Sequence, residues 1–268
     1  MNKKNLKILI AGSNGIIGSF LNKQLSKENT LISLSKSGAH NEKTLFVVDL
    51  LKVNEVQDFV KNSPKFDVLI FLVGLAHKKG KKEELNSFRK VNKQTLINIM
   101  TEFEICRKIP SKIIFASTIS IYGEKYRKKK YAENSKKTPL SPYAATKLEA
   151  EEFLFDKFID RTWILRFSPV YSPKFLLNIE RRTKLGKIYF RVGKGLQKLS
   201  LCNIQNIKSA IDGIIYDKVP VGVYNISDKK NYSYQNLLKY MGVRLFVLIP
   251  PLFIKLIYHL AKRLKILT

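Results

Sequence analysis

The sequence has few of the residues that form disulfides or hold metal ions. It contains two cysteines and three histidines among 268 residues, and these form no cluster with the spacing of a metal site. Cys106 and Cys202 alone cannot build a disulfide framework, so a reducing compartment and a cytoplasmic location are expected. The first apolar run, residues 8–11, ends at Gly12 and is too short for the core of a signal peptide, so it predicts a strand.

Acidic residues are also scarce. There are 21 Asp and Glu against 49 Lys and Arg, which gives a formal net charge of +28. Such a charge could attract nucleic acid, an acidic membrane surface or an anionic substrate. The lysines are spread along the whole chain, and no RNA-recognition or zinc-finger pattern is present. We therefore expect solvated basic faces and no nucleic-acid partner, with a field that would favour a substrate bearing a diphosphate.

No apolar run reaches the roughly 20 residues that cross a bilayer. The apolar tail from 245 to 268 is divided by Pro250 and Pro251. Within 252–264, the apolar side chains fall on one side of a helix and the cations largely on the other. We predict a helix packed over the C-terminal part of the protein. Peripheral membrane association through this amphipathic segment is the alternative.

Short apolar runs alternate with longer amphipathic stretches over about the first 170 residues. This alternation is typical of βαβ units, so an α/β fold with a doubly wound, Rossmann-like parallel sheet is predicted. The predicted strands are 7–11, 31–34, 45–48, 68–73, 112–116 and 163–167, and the predicted helices are 16–26, 53–61, 88–107 and 143–158. Such sheets bind ligands at the carboxyl ends of their strands, which is where the following motifs lie.

The first motif is a glycine-rich turn. Residues 12–18 read Gly-Ser-Asn-Gly-Ile-Ile-Gly, directly after the first strand and at the start of the first helix. Glycines allow the tight turn, and bare backbone lets a pyrophosphate approach the helix N-terminus. A dinucleotide cofactor, NAD or NADP, is therefore predicted here, and a glycine turn without a ligand is the alternative. The predicted contacts are Gly12, Asn14, Gly15, Ile16, Ile17 and Gly18.

The end of the second strand lacks the acidic residue that holds the ribose 2′-hydroxyl in NAD sites. Ser35 and Lys36 are found there, and they would tolerate a 2′-phosphate, so NADP is slightly preferred over NAD. The alternative for Lys36 is an exposed loop lysine. Asp49, followed by Leu50, closes the third strand. Asp49 could bind the adenine amino group, or it could equally well cap the helix that begins near residue 53.

Small residues follow the fourth strand in the sequence Val-Gly-Leu-Ala-His at 73–77. They would let the backbone lie against the cofactor, so Val73, Gly74 and Ala76 are predicted contacts. His77 could reach a substrate, although a loop role is the simpler interpretation.

Two hydroxyls, Ser117 and Thr118, follow the fifth strand. A hydroxyl at a strand's carboxyl end can orient a substrate oxygen for hydride transfer. The alternative is ordinary turn and capping chemistry.

Tyr143 and Lys147 are the most informative pair in the chain. Residues four apart share one face of a helix, and this helix has a plausible N-cap in Ser141 and Pro142 at its first position. A lysine ammonium beside a phenol is expected to lower the tyrosine pKa. Tyr143 could then exchange a proton with a hydroxyl or carbonyl near neutral pH.

Together these segments resemble the extended short-chain dehydrogenase/reductase family, in its NAD-dependent epimerase/dehydratase branch that acts on nucleotide sugars. The resemblance covers about residues 7–235. It is carried by the glycine turn at 12–18, by 88–92, by 117–123, by Tyr143 with Lys147, and by 165–171.

The resemblance implies specific roles for three side chains. Tyr143 would be the general acid/base, Lys147 would lower its pKa and hold the nicotinamide ribose, and Thr118 would match the catalytic hydroxyl. Hydride would pass between the nicotinamide C4 and a sugar carbon, most simply C4.

The alternation of apolar runs and helical stretches loosens after about residue 168. Residues 1–170 are therefore expected to form the NAD(P)-binding Rossmann domain, and 171–268 a smaller α/β substrate-binding region interleaved with it. The resemblance implies further site residues. Asn92 would be the family's structural asparagine, Ser117 would contact the cofactor, and Pro169 and Val170 would line the nicotinamide pocket. A homodimer is also allowed.

The sequence departs from a dehydratase, which carries an acidic pair just after the position of Thr118, where Ile119 and Ser120 are found. Residues 73–77 and 225–228 resemble a bacterial surface-polysaccharide subgroup of 4-ketoreductases and 4-epimerases. A nucleotide-sugar 4-ketoreductase is placed ahead of a 4-epimerase because no acidic residue follows the second strand. A non-catalytic NAD(P)-binding protein is the alternative from another class.

Overall fold

The computed structural model describes residues 5–38, 44–75, 80–123 and 130–253. The strands found in these residues are β1 Lys7–Ala11, β2 Thr30–Ser35, β3 Leu45–Val47, β4 Val68–Phe71, β5 Lys112–Thr118, β6 Thr162–Phe167, β7 Val170–Tyr171, β8 Lys184–Leu185, β9 Ile188–Val192, β10 Lys198–Leu199, β11 Cys202–Asn203, β12 Gly222–Ile226, β13 Tyr232–Ser233 and β14 Val247–Ile249. The α-helices are α1 Ile16–Leu25, α2 Val53–Asn62, α3 Leu85–Arg89, α4 Thr95–Ile105, α5 Pro142–Phe158, α6 Leu177–Thr183, α7 Ile204–Ile215 and α8 Tyr234–Tyr240.

The chain divides into two compact units, Met1–Ser168 with Ile207–Ile226, and Pro169–Asn206 with Ser227–Thr268. The chain therefore passes between the units three times, and the first crossing follows Ser168. The second piece returns to the first unit because β12 pairs in parallel with β6, from Gly222 opposite Trp163 to Ile226 opposite Phe167. This long-range pairing leaves no local signal in the sequence.

The first unit is built on a seven-stranded sheet in the order β12-β6-β5-β4-β1-β2-β3. Every pair of neighbouring strands in it is parallel. The order reverses between β1 and β4, where a doubly wound sheet opens a crevice at the strand ends. The predicted Rossmann-like α/β fold is therefore confirmed.

The central strands are buried because they are apolar on both faces, as parallel sheets covered by helices require. All four residues of β4 and all six of β6 are buried. Aromatic rings fill the layer beside the sheet, with Phe66 packed edge-on against Phe103 at 6.1 Å between ring centroids. This rigid layer fixes where the strand ends lie, and so positions the residues that follow them.

Several predicted boundaries differ from the structure. The strand predicted at 68–73 ends at Phe71, whereas β5 extends to Thr118 and includes both hydroxyl residues. The helix predicted at 88–107 begins earlier, at Leu85, and contains a π-helical turn at Lys90–Gln94 between α3 and α4. Such turns are often found at functional sites, and this one carries Asn92.

The second unit consists of short strands with α6 and α8. Its buried cluster is formed by Tyr171, Ile179, Leu201 and Leu237. The carboxylate of Asp228 accepts hydrogen bonds from four donors of this unit: the hydroxyls of Tyr171 and Tyr232, the backbone N–H of Asn203 and the amide of Asn206, at 2.6–2.9 Å. These bonds tie its loops to one another.

Residues 254–264 of the amphipathic helix predicted at 252–264 lie outside the described residues. Among the residues that the structure does describe, none of the helices has both the length and the apolar character needed to cross a membrane.

Candidate active site

The glycine turn between β1 and α1 leaves no room for side chains. Gly12 has φ +89°, and a Cβ there would lie 3.0 Å from the backbone N of Val73. A Cβ on Gly18 would come within 2.7 Å of the Ser13 Cα. Both positions therefore require glycine, and the turn brings the backbone of β1 against the end of β4.

The start of α1 is open to a ligand. Gly15 is its N-cap in extended conformation, no side chain caps the helix, and its first turn contains no acidic residue. The first N–H groups of a helix have no acceptor within it and favour an anion. Ser13 and Asn14 point elsewhere, donating from their side chains to the carbonyls of Leu34 and Ser37. The chain thus presents bare backbone where a pyrophosphate would be held.

The residues after β2 and β3 are paired with one another. The Lys36 ammonium lies 3.0 Å from the Asp49 carboxylate, and the Lys36 side chain is 73% exposed. Burial would raise the pKa of the Asp49 carboxyl, but the Leu51 N–H and the Lys36 ammonium together hold it below its usual value. The Asp49 side chain does not cap α2, because Lys52 is the N-cap residue of that helix and no side chain caps it.

Neighbouring Leu50 is buried, and its carbonyl accepts from the Asn98 amide at 2.8 Å. Ser35 is buried as well, and its hydroxyl donates to the Ser37 carbonyl at 2.6 Å. At the ends of β2 and β3, which we call the Lys36 edge, Lys36 is thus paired with Asp49, while the Ser35 hydroxyl is bonded within its own turn.

Asn92 connects the loop after β4 to α5. It is fully buried in the π-helical turn, and its carbonyl accepts from the Leu75 N–H at 2.7 Å while its amide donates to the Thr146 hydroxyl at 2.9 Å. Gly74 lies beside it, and a Cβ on Gly74 would lie 3.1 Å from the Asn92 carbonyl oxygen and 3.0 Å from Lys147 Nζ. Asn92 and Gly74 therefore fix the loop directly against Lys147.

Lys147 is 3% exposed although it carries an amine. Its Nζ donates to the Val73 carbonyl at 3.1 Å and lies 4.7 Å from the centre of the Phe115 ring. Burial lowers the pKa of Lys147 to about 7, and the negative charge of Glu151 offsets part of this effect. A lysine with this pKa changes its charge near neutral pH, which is typical of functional sites.

Tyr143 and Thr118 are brought together by the start of α5 and the end of β5. Ser141 caps α5 through a hydrogen bond from the Ala144 N–H, and Pro142 opens the helix, as predicted. The Thr118 side chain lies near enough to the Tyr143 phenol to lower its pKa, and the Thr118 oxygen accepts from the Ser120 N–H at 3.2 Å. The two hydroxyls predicted to share a substrate oxygen are therefore neighbours.

The sequence predicted a lowered pKa for Tyr143, and for the protein without cofactor this prediction is wrong. Burial raises the pKa of the phenol to about 12, although the Thr118 side chain lowers it in part. The reason is that the Lys147 amine is directed to the Val73 carbonyl, and its depressed pKa leaves it only partly charged at neutral pH. Tyr143 thus stays protonated in the free protein.

A buried ion pair behind the site was missed from the sequence. Arg166 donates to both carboxylate oxygens of Glu151, at 3.1 and 2.6 Å, and the two side chains are 1% and 0% exposed. Ser117 also donates to Glu151, rather than pointing out of the sheet. Arg166 further donates to the Tyr122 hydroxyl at 2.7 Å, which in turn donates to Asn225 of β12 at 2.8 Å.

Two signals could have revealed this pair. Glu151 follows Lys147 by one helical turn on the buried face of α5, and Arg166 interrupts an otherwise apolar stretch of β6. A charge at such a position needs a partner, because an unpaired buried charge costs several kcal/mol.

The remaining predicted residues lie elsewhere. Pro169 and Val170 belong to the second unit, where their carbonyls accept from the Cys202 N–H at 3.1 Å and the Asn178 amide at 2.8 Å. Ala76 and His77 lie outside the described residues. The first unit thus brings together the glycine turn, the Lys36 edge, Gly74, Asn92, Lys147, Tyr143 and Thr118.

Comparisons with solved structures agree with this fold. UDP-glucuronic acid 4-epimerase from Bacillus cereus, solved with NAD, superposes with a TM-score of 0.75 at 22% identity, over 91% of this chain and 86% of that one. The dTDP-4-dehydrorhamnose reductase of Bacillus anthracis, solved with NADP, gives a TM-score of 0.72 at 19% identity, over 92% and 84%. At these identities the likeness concerns the fold.

A sequence relative comes from Bacillus subtilis (strain 168), the uncharacterized UDP-glucose epimerase YtcB, 28% identical over 190 residues. The match covers 63% of this chain, and the chain spans 58% of the length of that relative.

The chain also matches a protein family over most of its length. Residues 8–227 match the family described as the NAD dependent epimerase/dehydratase family. That range contains the glycine turn, Thr118, Tyr143 and Lys147, together with the whole seven-stranded sheet apart from its first residue, Lys7. The chain therefore belongs to the NAD-dependent epimerase/dehydratase family.

Proposed function

We propose that the protein reduces the 4-keto group of a nucleotide sugar, with Tyr143 as proton donor and NADPH or NADH as hydride donor. The observation that carries this proposal is the meeting of Thr118, Tyr143 and a buried Lys147 at the carboxyl ends of β4 and β5. The nucleotide-sugar substrate is supported by the names of the relatives, which include a UDP-glucose epimerase and a UDP-glucuronic acid 4-epimerase. The net charge of +28 would attract the diphosphate.

The residues present fit a dinucleotide. The bare turn at Gly12, Gly15 and Gly18 would hold the pyrophosphate, and the buried amine of Lys147 would donate to a ribose hydroxyl. When bound, a nicotinamide ring supplies or accepts a hydride at its C4. A ribose at Lys147 would add hydrogen bonds to an amine that now donates to one carbonyl.

The proton transfer follows from the states of the two side chains. In the reduction, the keto carbon gains a hydride while the C=O π-bond breaks, and the oxygen takes the proton of the Tyr143 hydroxyl. A phenol with a pKa of about 12 holds that proton at neutral pH, so the free protein is ready to donate it. Thr118 would donate a hydrogen bond to the same oxygen and steady it. A charged Lys147 would stabilise the phenolate that remains.

A 4-epimerase is the second candidate, and the named relatives favour it. The same three residues would serve, because an epimerase takes a proton from the 4-hydroxyl and a hydride from C4 to give a 4-keto sugar. It then returns the hydride to the opposite face of C4 and the proton to the oxygen. A reductase consumes one NAD(P)H in each turnover, whereas an epimerase regenerates its cofactor. Incubation with UDP-, dTDP- and GDP-sugars and their 4-keto forms separates them, since net NAD(P)H oxidation supports the reductase, whereas isomer exchange without net oxidation supports the epimerase.

Replacement of the proton donor tests both candidates. Tyr143→Phe is expected to lower turnover by about 10²–10⁴-fold, the usual contribution of a general acid. The dissociation constant for NAD(P)H should change little, because the aromatic ring remains. Tyr224→Phe is the matched control, since its hydroxyl donates to the Pro220 carbonyl away from the cluster. Normal turnover in Tyr143→Phe would overturn the assignment of Tyr143 as the proton donor. No turnover of any nucleotide sugar by the unaltered protein, with NAD(P)H still bound, would instead support a non-catalytic cofactor-binding protein.

We further propose that NADPH is preferred, because no acidic side chain follows β2 and Lys36 can leave Asp49 for a 2′-phosphate. Lys36→Ala should then raise KM for NADPH by about tenfold or more, the value of one charge-assisted hydrogen bond, and leave KM for NADH nearly unchanged. Equal effects on both cofactors would contradict this preference.

A further inference from the structure

Residues 245–253 form a surface feature that the proposed reaction does not use. These nine consecutive residues are all apolar or proline, reading Leu-Phe-Val-Leu-Ile-Pro-Pro-Leu-Phe. Leu245 is 90% exposed, Leu252 77% and Leu248 56%. In the described part of the first unit, by contrast, the exposed large apolar side chains are separated along the chain. A run of such residues marks an interaction site rather than ordinary surface.

The small sheet of the second unit carries this run. Val247–Ile249 is strand β14, which pairs in parallel with β9, and β9 pairs in turn with β8. On the β8–β9 hairpin, Leu185 lies opposite Ile188, and these two residues are 76% and 59% exposed. We call residues 245–253 with Leu185 and Ile188 the apolar surface. It therefore continues beyond one segment of the chain.

Cations accompany the apolar surface, and acidic residues do not. The described part of the second unit contains twelve Lys and Arg against two acidic residues, Glu180 and Asp228. Asp228 is held by four donors inside its own unit, and Glu180 lies 3.9 Å from Lys184. The Arg191 guanidinium lies 4.9 Å from the centre of the Phe246 ring. The sequence from 244 to 268 contains no acidic residue.

We propose that the apolar surface binds an anionic lipid bilayer peripherally. A bilayer of this kind offers an apolar interior beneath negative headgroups, which matches leucines flanked by lysines and arginines. Each cation near such a surface strengthens binding by about fivefold. A second copy of this chain fits less well, because it would bring two strongly basic units together. The inference rests on residues 185–253 and does not depend on the proposed reaction.

Binding of the full chain to vesicles tests the proposal. We expect co-sedimentation with phosphatidylcholine vesicles containing roughly one-third phosphatidylglycerol, at least tenfold stronger than with phosphatidylcholine alone, and weakened by salt on the order of 1 M. Equal binding to both vesicles, or binding to neither, would overturn it.

Matched variants identify the surface. The double variant Leu245→Ser/Leu252→Ser should lose at least tenfold in vesicle binding, since it removes the two most exposed leucines. The control Ile105→Ser/Ile159→Ser removes side chains that are 66% and 59% exposed in the first unit, and it should bind as the unaltered protein does. Equal loss in both variants would contradict the assignment to this surface.

Charge and self-association are tested separately. Lys187→Gln/Arg244→Gln should weaken binding to the anionic vesicles severalfold and leave any binding to the neutral vesicles unchanged. Light scattering on the same proteins gives the oligomeric state. If the protein is a dimer that Leu245→Ser/Leu252→Ser converts to a monomer, and vesicles do not bind, the surface joins two copies and the proposal is wrong.

Discussion

The two units differ in which side chains they bury and expose: the first buries ionisable groups, and the second exposes apolar ones. In the first unit, the ionisable side chains of Lys147, Glu151 and Arg166 are almost completely buried. In the second unit, the apolar residues around Leu245 and Leu252 are exposed to solvent. Both arrangements are unfavourable for an isolated fold. The difference teaches that the first unit tolerates buried ionisable groups because fixed partners hold them, whereas the second unit exposes apolar area that no partner within the described residues covers.

Breaking the buried ion pair is expected to have the largest effect on this contrast. Glu151→Gln leaves the Arg166 guanidinium buried without a carboxylate, so the free energy of unfolding should fall by about 3–5 kcal/mol. Glu149→Gln is the matched control on the same helix, because Glu149 also binds an arginine, Arg89, but in a pair that is 24% and 42% exposed. It should cost about 1 kcal/mol or less. Denaturant unfolding measures both, and similar losses would mean that burial does not decide the energy.

The buried amine predicts a pH dependence that the second unit should not share. The pKa of Lys147 is lowered to about 7 in the folded protein, against 10.5 in the unfolded chain. Between these values the unfolded chain binds the proton that the folded protein has released. The free energy of unfolding contributed by Lys147 should therefore rise with pH from about 7 towards 10. Above pH 10 the raised pKa of Tyr143 acts in the opposite direction.

Lys147→Met isolates this contribution. The quantity to follow, without cofactor and across roughly pH 6–10, is the unfolding free energy of the unaltered protein minus that of Lys147→Met. This difference should be smallest at low pH and should rise with pH. A pH-independent difference would show that Lys147 titrates normally.

Substitution in the apolar surface should have the smallest effect on stability. Leu245 is 90% exposed, so Leu245→Ser should change the free energy of unfolding by about 0.5 kcal/mol or less. Leu154→Ser, at a fully buried position of α5, supplies the opposite case and should cost several kcal/mol. Thermal unfolding of the two variants measures the contrast directly. A large loss in Leu245→Ser would mean that this residue packs within the fold.

Much of the first unit was accessible from the sequence because its signals are local. The glycine turn, the Ser141 cap with Pro142, and the order of strands and helices all follow from neighbouring residues. The rule that ligand-binding residues gather at strand ends pointed to Thr118, whereas the grouping of Tyr143 with Thr118 came from the resemblance to the family. Their catalytic roles stay predictions.

The rest depends on contacts between distant residues. The pairing of β12 with β6, the partnership of Glu151 with Arg166, and the hydrogen bond from Lys147 to Val73 each join segments that no pattern connects. The direction of the Tyr143 pKa failed for the same reason. It depends on where the lysine amine is directed and on how little water surrounds both groups, and spacing along a helix determines neither.

The return of the chain to the first unit has a consequence for biosynthesis. When residue 168 has left the ribosome, six of the seven strands of the large sheet are present, but β12 and Asn225 are not. The Tyr122 hydroxyl then lacks its Asn225 acceptor, and the edge of β6 lacks its neighbour. At about 5–20 residues per second, translation reaches residue 226 on the order of 3–12 s later. The nascent domain must therefore wait with an open sheet edge while the whole first segment of the other unit, residues 169–206, is made.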